Sequence, residues 1–448
     1  MQTAKGRKCH GSRWVGAFLL LIGTCRLAYS QEAGQVAAAS QDQRWAFHFQ
    51  STLVGQGVLP FSAGYSGANS LESHGEAKNT FSLDVTGTMR LWRGGEFAAD
   101  LLSWQGYGLS KTTGVAGFPN GEAFRVGKSH PDAAIARAYF QQTIDLGGGQ
   151  AASGGPSPGG LPAGADRIIL TIGRFSATDI FDKNTYAGDA RTQFMNWCLV
   201  SSGAWDYPAN VIGFTNGATA ELDLRAWAVR AGIFQVSRVA NGMRLDWNVA
   251  DNWSLAGELE RRLSFDGHPG AVRLLAYKER AHLGNYQESL SAPQDLQLNG
   301  LLRYRTKYGF GINLEQEIGK DVGAFARLGW NDGRNQIWEF TDVDRTASAG
   351  ISLKGELWRR PGNTMGVAAI VNGISGAHRQ FLGRGGLGLT VGDGRLNYAN
   401  EKILETYYSI PTRWNVSVSP DFQLVANPAY NRDRGPAPIF ALRLHWEK

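Results

Sequence analysis

The chain has 448 residues, a formal net charge of +6 and a mean hydropathy of −0.26, which excludes a protein built from many membrane-spanning helices. It contains 58 Gly and 11% aromatic residues but only three Cys, so a disulfide-rich scaffold is excluded as well. Many Gly residues together with many aromatic residues are typical of a β-barrel with tight turns.

The N-terminus has the pattern of a secretory signal peptide. A basic segment contains Lys5, Arg7, Lys8 and Arg13, and an apolar segment follows at residues 15–24. Ala28-Tyr29-Ser30 then supplies a small-x-small cleavage site. An N-terminal membrane anchor is the alternative, but the apolar segment is short for it. Cys25 suggests a lipoprotein site, although the preceding Thr24 is bulkier than the usual residue. We predict a signal peptide at 1–30.

The basic charge belongs mainly to this signal. Removal of residues 1–30 takes away five basic residues and no acidic one, so the formal charge falls from +6 to +1. A mature chain of this charge has no basic field that would attract nucleic acid. Cys9 and Cys25 leave with the signal, and the remaining Cys198 is expected to be a buried small hydrophobic residue.

Alternating apolar and polar residues are clearest between residues 81 and 92. Phe81, Leu83 and Val85 fall on one face of an extended strand, and Ser82 and Asp84 fall on the other. In a soluble sandwich the polar face would meet bulk water. In an outer-membrane barrel the apolar face meets lipid and the polar face lines a lumen. The number of such strands decides between these two folds.

About sixteen strand-like segments follow one another after a polar leader at residues 31–44. They lie at 45–53, 80–92, 96–104, 133–145, 167–174, 214–223, 227–237, 253–261, 271–282, 308–318, 321–330, 348–358, 364–372, 401–410, 414–425 and 438–447. Most are close to the roughly 9–11 residues that a tilted spanning strand needs. We therefore predict an all-β fold, a transmembrane antiparallel β-barrel of about sixteen strands over residues 45–448, wide enough for an aqueous channel.

The parity of the strands assigns the connections to two sides of the membrane. If the barrel begins and ends in the periplasm, residues 175–213 form the third extracellular loop. In large porins this loop folds into the barrel and narrows it, and the same is expected here. The Gly/Pro/Ser-rich run at 146–165 would be an unusually long periplasmic turn, which we interpret as a flexible insertion.

Several long motifs carry a family resemblance. They are GRFSATDIFDKNTYAGDARTQFMNWC (173–198), GAWDYPAN (203–210), ETYYSIP (405–411), SPDFQLVANPAYNRDRGP (419–436) and the closing RLHWEK, with HPDAAIARAYFQQ (130–142) and KYGFGINLEQE (307–317). Over most of the mature chain these motifs resemble the OprB-type carbohydrate-selective porins. The resemblance implies a monomeric outer-membrane channel for glucose and similar sugars. The chain departs from the family pattern in the 146–165 insertion and in the Glu447 and Lys448 that follow Trp446.

Candidate constriction and sugar-binding residues follow from the chemistry of a sugar ring. Aromatic rings offer an apolar face to its C–H groups, and Arg and carboxylates hydrogen-bond its hydroxyls. The candidates are Arg191, Asn196, Trp197, Trp205, Asp206 and Tyr207 in the third loop, Arg90, Glu96 and Asp100 on early strands, and Arg432 and Arg434 near the last strand. Charges of both signs across a narrow lumen suit a neutral solute.

Structural roles remain open for the same segments. Loop-packing hydrogen bonds are an alternative for Asp179, Asp182, Asn184 and Asp189. The segment 205–208 is equally consistent with a structural corner, and 431–436 with a turn that holds its neighbours.

Other functions fit the sequence less well. A general nonspecific porin or a polysaccharide exporter is the main alternative, although an exporter would typically have a lumen of one charge sign. An enzyme is disfavoured because the chain has no G-x-S-x-G and no His pair at metal spacing. Gly383-x-Gly385-x-x-Gly388 matches a dinucleotide fingerprint, but no βαβ pattern surrounds it. We predict facilitated diffusion of monosaccharides such as glucose into the periplasm without a cofactor. The expected partners are the sugar, outer-membrane lipid and the barrel-assembly machinery.

Overall fold

The computed structural model describes residues 44–123, 127–147, 166–291, 296 and 298–448. Sixteen strands run through these residues: β1 (Trp45–Val58), β2 (Glu76–Trp92), β3 (Gly95–Gly106), β4 (Lys128–Gly147), β5 (Asp166–Phe175), β6 (Thr215–Asp223), β7 (Trp227–Phe234), β8 (Trp253–Phe265), β9 (His268–Leu283), β10 (Arg303–Gly319), β11 (Val322–Asn331), β12 (Arg345–Lys354), β13 (Thr364–Gly373), β14 (Glu401–Pro411), β15 (Val416–Ala426) and β16 (Ala437–Glu447). The short helices are α1 (Trp197–Val200), α2 (Tyr286–Ser291) and α3 (Gly376–Gly383).

The strands form one closed antiparallel barrel. Each strand pairs with its neighbours in sequence, and β1 pairs with β16 to close the sheet. Closure leaves no strand edge with unpaired backbone groups among the sixteen described strands, which is what a barrel in lipid would need. Glu447 pairs with Gln50 in the closing register, so the residue after Trp446 is part of the last strand.

The predicted fold class is confirmed, and each of the sixteen predicted segments overlaps one observed strand. Predicted and observed boundaries differ by up to five residues, and the segment 348–358 is the one that extends furthest past its strand. The segment 348–358 was expected to be extended throughout, but β12 ends at Lys354 and a 3-10 turn occupies Gly355–Trp358. Arg359 caps this turn with φ +62°, and the Gly355 N–H donates to the Asn363 carbonyl, so the chain reverses there.

The two faces of the strands have opposite character. On β2, Asp84 is only 2% exposed, whereas the neighbouring Leu83 and Val85 are partly exposed. On β5, Ile172 is 60% exposed. Apolar side chains therefore point outward and polar side chains inward, the reverse of a soluble core. This is the arrangement that the alternation in residues 81–92 predicts.

The connections differ in length at the two ends of the barrel. Two residues join β2 to β3 and two join β8 to β9, at what we call the short-turn end. Residues 176–214 and 374–400 connect strands at the opposite, long-loop end. The predicted signal peptide, the leader up to residue 43 and residues 148–165 of the predicted insertion lie outside the described residues. In the part of the chain that is described, no helix is long and apolar enough to cross a membrane.

A hydrophobic core lies on the inward side of β11–β16. It combines inward strand residues such as Phe325 and Tyr407 with Phe194, Leu199 and Phe381 from the long connections. Phe194 packs edge-on against Tyr407 with ring centroids 4.9 Å apart. Cys198 is buried in this core, as predicted, and is a free thiol.

Candidate functional site

Residues 176–214, between β5 and β6, are called L3 below, and their backbone is bonded to inward carboxylates of several strands. The Asp182 N–H donates to Glu258 on β8 at 2.7 Å, and the Thr185 N–H donates to Glu315 on β10 at 2.6 Å. The Asn196 N–H donates to Glu405 on β14 at 3.1 Å. Arg443 on β16 donates to the Ala190 carbonyl at 2.6 Å. L3 thus contacts strands from widely separated parts of the closed barrel.

A paired contact joins the beginning of L3 to β4. Arg137 donates through Nε and Nη2 to the two carboxylate oxygens of Asp179, at 2.8 and 2.7 Å, and its Nη1 reaches Asp100 on β3 at 2.7 Å. Burial alone would raise the pKa of Asp179, but the adjacent guanidinium outweighs burial and holds that pKa below its usual range. Asp100 was a sequence candidate, while Arg137 was missed despite its inward position between Ala136 and Ala138.

Arg191 connects the middle of L3 to β2. Its Nη1 lies 2.7 Å from Asp84, and its Nε lies 2.9 Å from Glu122. The backbone N–H of Arg191 donates to Asp189 at 2.9 Å. The two carboxylates raise the pKa of Arg191 despite the opposing effect of burial, so the guanidinium is a fixed cation of the barrel interior.

Trp197 is part of a stack of aromatic rings. Its ring centroid lies 5.2 Å from Phe118 in a nearly parallel arrangement and 5.0 Å from Phe340. Tyr207 lies 6.0 Å away, also nearly parallel. Trp197 is half-buried and borders a small cavity of about 40 Å³ together with Phe118 and Phe340.

Five other sequence candidates are almost completely buried: Asn196, Trp205, Asp206, Tyr207 and Arg434. Asn196 accepts the Cys198 N–H at the start of α1 and donates to the Gly117 carbonyl at 2.8 Å. Asp206 pairs with Lys307 of β10 at 2.9 Å.

Arg434 likewise holds other loops. It donates to the carbonyls of Tyr65 and Leu71 in the β1–β2 connection, and its Nε lies 3.6 Å from Asp393. Such contacts fit the alternative in which residues 431–436 form a turn that holds its neighbours.

The remaining candidates lie in two places. Arg90 and Glu96 face each other across the β2–β3 register and are half-exposed. Arg432 is exposed in the connection between β15 and β16, where its N–H donates to the Asn397 carbonyl at 2.9 Å. The structure therefore does not bring the early-strand and late-loop candidates together.

A cavity of about 760 Å³ lies between L3 and the inward faces of β3, β4, β5 and β9. Its charged lining consists of the cations Arg137, Lys183 and Arg273 and the carboxylates Glu96, Asp179, Asp182 and Asp189. Gln141, Thr171, Asn184 and Gln193 add uncharged hydrogen-bonding groups. The cavity can therefore hydrogen-bond a polar solute without a strong excess of one charge sign.

A network of ion pairs continues along the inward faces of β6–β10. Arg230 on β7 lies 2.8–2.9 Å from Glu221, Glu258 and Glu260. Arg273 on β9 lies 2.8 Å from Glu260 and 3.0 Å from Glu315. These residues are not among the sequence candidates, although Glu258, Glu260 and Arg262 alternate with Leu259 and Arg261 along β8.

The dinucleotide fingerprint match has no supporting geometry. Within the described ranges, no group of three His, Cys, Asp or Glu side chains is placed to hold a metal ion. Gly383 is the last residue of α3, and the Gly388 N–H donates to the Val391 carbonyl in the β13–β14 connection. The fingerprint match thus lacks the strand and following helix that a dinucleotide site needs.

A comparison with protein families matches residues 68–447 to the carbohydrate-selective porin, OprB family. The chain belongs to this family. Among solved structures, the high-pH structure of Pseudomonas putida OprB is similar to this chain, with a TM-score of 0.68 and 16% sequence identity. The match covers 90% of this chain and 94% of the Pseudomonas putida chain. That likeness supports the barrel fold.

Two curated proteins are similar at the level of sequence. Porin AaxA of Chlamydia muridarum is 22% identical over 62% of this chain and 52% of its own length. Porin AaxA of Chlamydia abortus is 21% identical over 62% of this chain and 54% of its own length. The chain thus spans about half the length of the curated relatives it matches.

Proposed function

We propose that this OprB-family porin is an outer-membrane channel for facilitated diffusion of monosaccharides such as glucose into the periplasm. The observation that carries the proposal is the cavity beside L3, whose lining combines Arg137, Lys183 and Arg273 with four carboxylates. Family membership indicates a carbohydrate as the solute, and the cavity has side chains that can hydrogen-bond a sugar.

The chemistry of the cavity fits a neutral polyol. Each sugar hydroxyl both donates and accepts, so a wall that alternates guanidinium groups with carboxylates can bond it in successive positions. Several weak sites in sequence favour passage, because a single tight site would hold the solute and block flux. Because neighbouring charges of opposite sign partly cancel, the cavity attracts neither small cations nor small anions strongly.

We further propose that L3 sets the narrowest section of the channel. Its bonds to β4, β8, β10, β14 and β16 support a position inside the barrel. Arg191 and Trp197 are the sequence candidates of L3 that remain partly exposed. The proposal places the long loops outside the cell and the short turns in the periplasm. We also propose that the barrel-assembly machinery inserts the barrel into the membrane and that the channel is a monomer.

Single-channel conductance of the purified, refolded protein in a planar bilayer tests this function. Added glucose should partly block the ion current with a weak, millimolar-scale apparent affinity. A current that ignores sugars but strongly prefers one ion sign would contradict the proposal and support a general porin instead.

A further inference from the structure

The outward face of the barrel carries positive charge at one end. Outward positions in the long-loop half of the strands hold five cations, and no carboxylate occupies such a position in these described strands. The five are Arg174, Lys278, Arg280, Arg345 and Lys402. At the short-turn end, Arg261 is the corresponding outward cation, and its guanidinium lies 4.6 Å from the Trp227 ring centroid.

The strand registers establish these orientations. Lys278 lies between the exposed Leu255 of β8 and Tyr308 of β10. Arg345 of β12 pairs with the exposed Trp330 of β11. The next inward residues, Glu279 and Thr346, are buried. Lys278 and Arg345 thus share the apolar outward surface rather than the ion-pair network of the lumen.

Three of the cations frame an aromatic surface. Tyr308 lies 5.8 Å from Trp330, and Phe310 stacks on Trp330 at 6.0 Å. Lys278 and Arg280 lie on one side of these rings, and Arg345 lies on the other. We call Lys278, Arg280, Tyr308, Trp330 and Arg345 the rim patch. Three strand spacings separate β9 from β12, about 14 Å.

The charges of the rim patch are largely uncompensated. Among the described residues, no hydrogen bond or ion pair of the Lys278 or Arg345 side chain is present. Arg280 lies 3.3 Å from Asp251 in the β7–β8 connection, and both side chains remain partly exposed. Asp332 lies just beyond β11, and its N–H donates to the Tyr308 carbonyl at 3.1 Å.

Long cationic side chains reach the interface at either end of a spanning segment. The short turns carry cations of their own, among them Arg93, Lys320 and Arg413, so the asymmetry is confined to the outward positions of the described strands, where five cations lie at one end and one at the other. Phosphate groups in the leaflet at the long-loop end would favour outward cations at that end, because anionic head groups attract Lys and Arg near the surface.

We propose that the rim patch binds a bis-phosphorylated glycolipid of the leaflet at the long-loop end. One phosphate lies at Lys278 and Arg280, the other lies at Arg345, and the lipid body packs on Tyr308 and Trp330. One group of cations lies on each side of the rings. This arrangement matches a head group that carries two phosphates better than a head group that carries a single phosphate. This inference rests on the proposed function only in requiring insertion into an outer membrane.

The test uses the refolded full chain in phosphatidylcholine nanodiscs that contain bis-phosphorylated or monophosphorylated lipid A. After detergent extraction, native mass spectrometry measures the lipid retained per barrel. The wild type should retain the bis-phosphorylated form preferentially. Retention by the triple variant Lys278→Gln/Arg280→Gln/Arg345→Gln should fall at least about tenfold, as the loss of three interfacial charges predicts.

Arg261→Gln is the matched control and should retain lipid as the wild type does. Each single variant keeps the test informative if the triple variant does not refold. Equal retention by wild type and variants, or no preference for two phosphates over one, would overturn the proposal. Glucose block is recorded on the same protein preparations in planar bilayers. Lost lipid retention with intact block supports separate sites, whereas absent block with normal retention contradicts only the channel function.

Discussion

Arg137 on β4 holds both carboxylate oxygens of Asp179 in L3 while its third nitrogen bonds Asp100 on β3. One guanidinium therefore ties the start of L3 to two adjacent strands of the wall. The fork geometry of Arg fits this arrangement, and Lys could not reproduce the paired bonds. Arg137 and Asp179 also line the cavity, so anchoring of the loop and the charge of the cavity are linked.

The first prediction concerns this contact. Arg137→Gln should destabilise the barrel because it leaves the carboxylates of Asp100 and Asp179 without their guanidinium, and Asp179→Asn should destabilise it because it leaves Arg137 with Asp100 as its remaining carboxylate partner. The double variant should lose less than the sum, with a coupling energy of about 0.5–3 kcal/mol. Urea unfolding in detergent measures all three free energies of unfolding. Arg432→Gln, at an exposed arginine, is the control, and additive effects would show that the pair is not coupled.

The second prediction is a pH dependence of the same pair. The pKa of Asp179 lies below its usual range, so its contribution to stability is complete above the unfolded value of about 3.9. That contribution is lost as the pH falls through the lower, folded value. The difference in unfolding free energy between wild type and Asp179→Asn should therefore stay constant at neutral pH and shrink below about pH 4. A difference that shrinks already near neutral pH would contradict this sign.

The third prediction concerns Arg191, which bridges Asp84 and Glu122. Arg191→Gln removes a fixed cation and leaves two inward carboxylates, so ion selectivity should shift toward cations. Loss of the bridge should also loosen L3 and raise conductance, with weaker sugar block. Reversal potentials in a salt gradient and conductance on the same channel separate the effects. Unchanged selectivity and block would show that Arg191 lies outside the pathway.

The barrel could be predicted from the sequence because its cause is local. Two different solvents on the two faces impose alternation within each strand, as in Phe81, Leu83 and Val85 against Asp84. The error at residues 355–358 arises from residues just beyond the predicted segment. Leu357 continues the alternation, but the hydrogen bonds that close the turn involve Arg360 and Asn363.

The site was harder to predict because its contacts are distant in sequence. Asp206 was selected for its chemistry, yet the fold buries this carboxylate and pairs it with Lys307, which is 101 residues away in the sequence. Arg137 was missed because its importance comes from Asp179, which only the fold brings near. Residue type and position in a loop indicate polarity, but they do not show which polar groups remain unpaired.

The fourth prediction tests the aromatic stack. Trp197→Ala removes the ring between Phe118 and Phe340 and should weaken glucose block if the exposed edge of Trp197 meets the solute. Trp197→Phe keeps a ring and should preserve most of the block. Unfolding free energies identify a purely structural effect: if both variants lose stability but keep wild-type block, Trp197 serves packing alone.

The last prediction concerns Lys183, which is exposed on L3 and lines the cavity. Within the described part of the chain, its ammonium group has no hydrogen bond or ion pair, so Lys183→Gln should leave the unfolding free energy within about 0.5 kcal/mol of wild type. The substitution deletes a cation beside Asp179 and Asp189, and selectivity should shift toward cations without a change of L3 anchoring. Glucose block should weaken modestly, because glutamine retains a donor but loses the charge-assisted bond. Lys183→Arg, which keeps the charge, should restore the ion selectivity. If Lys183→Gln alters neither selectivity nor block while Arg191→Gln alters both, the solute passes on the Arg191 side of L3 and the cavity beside Arg137 is not the pathway.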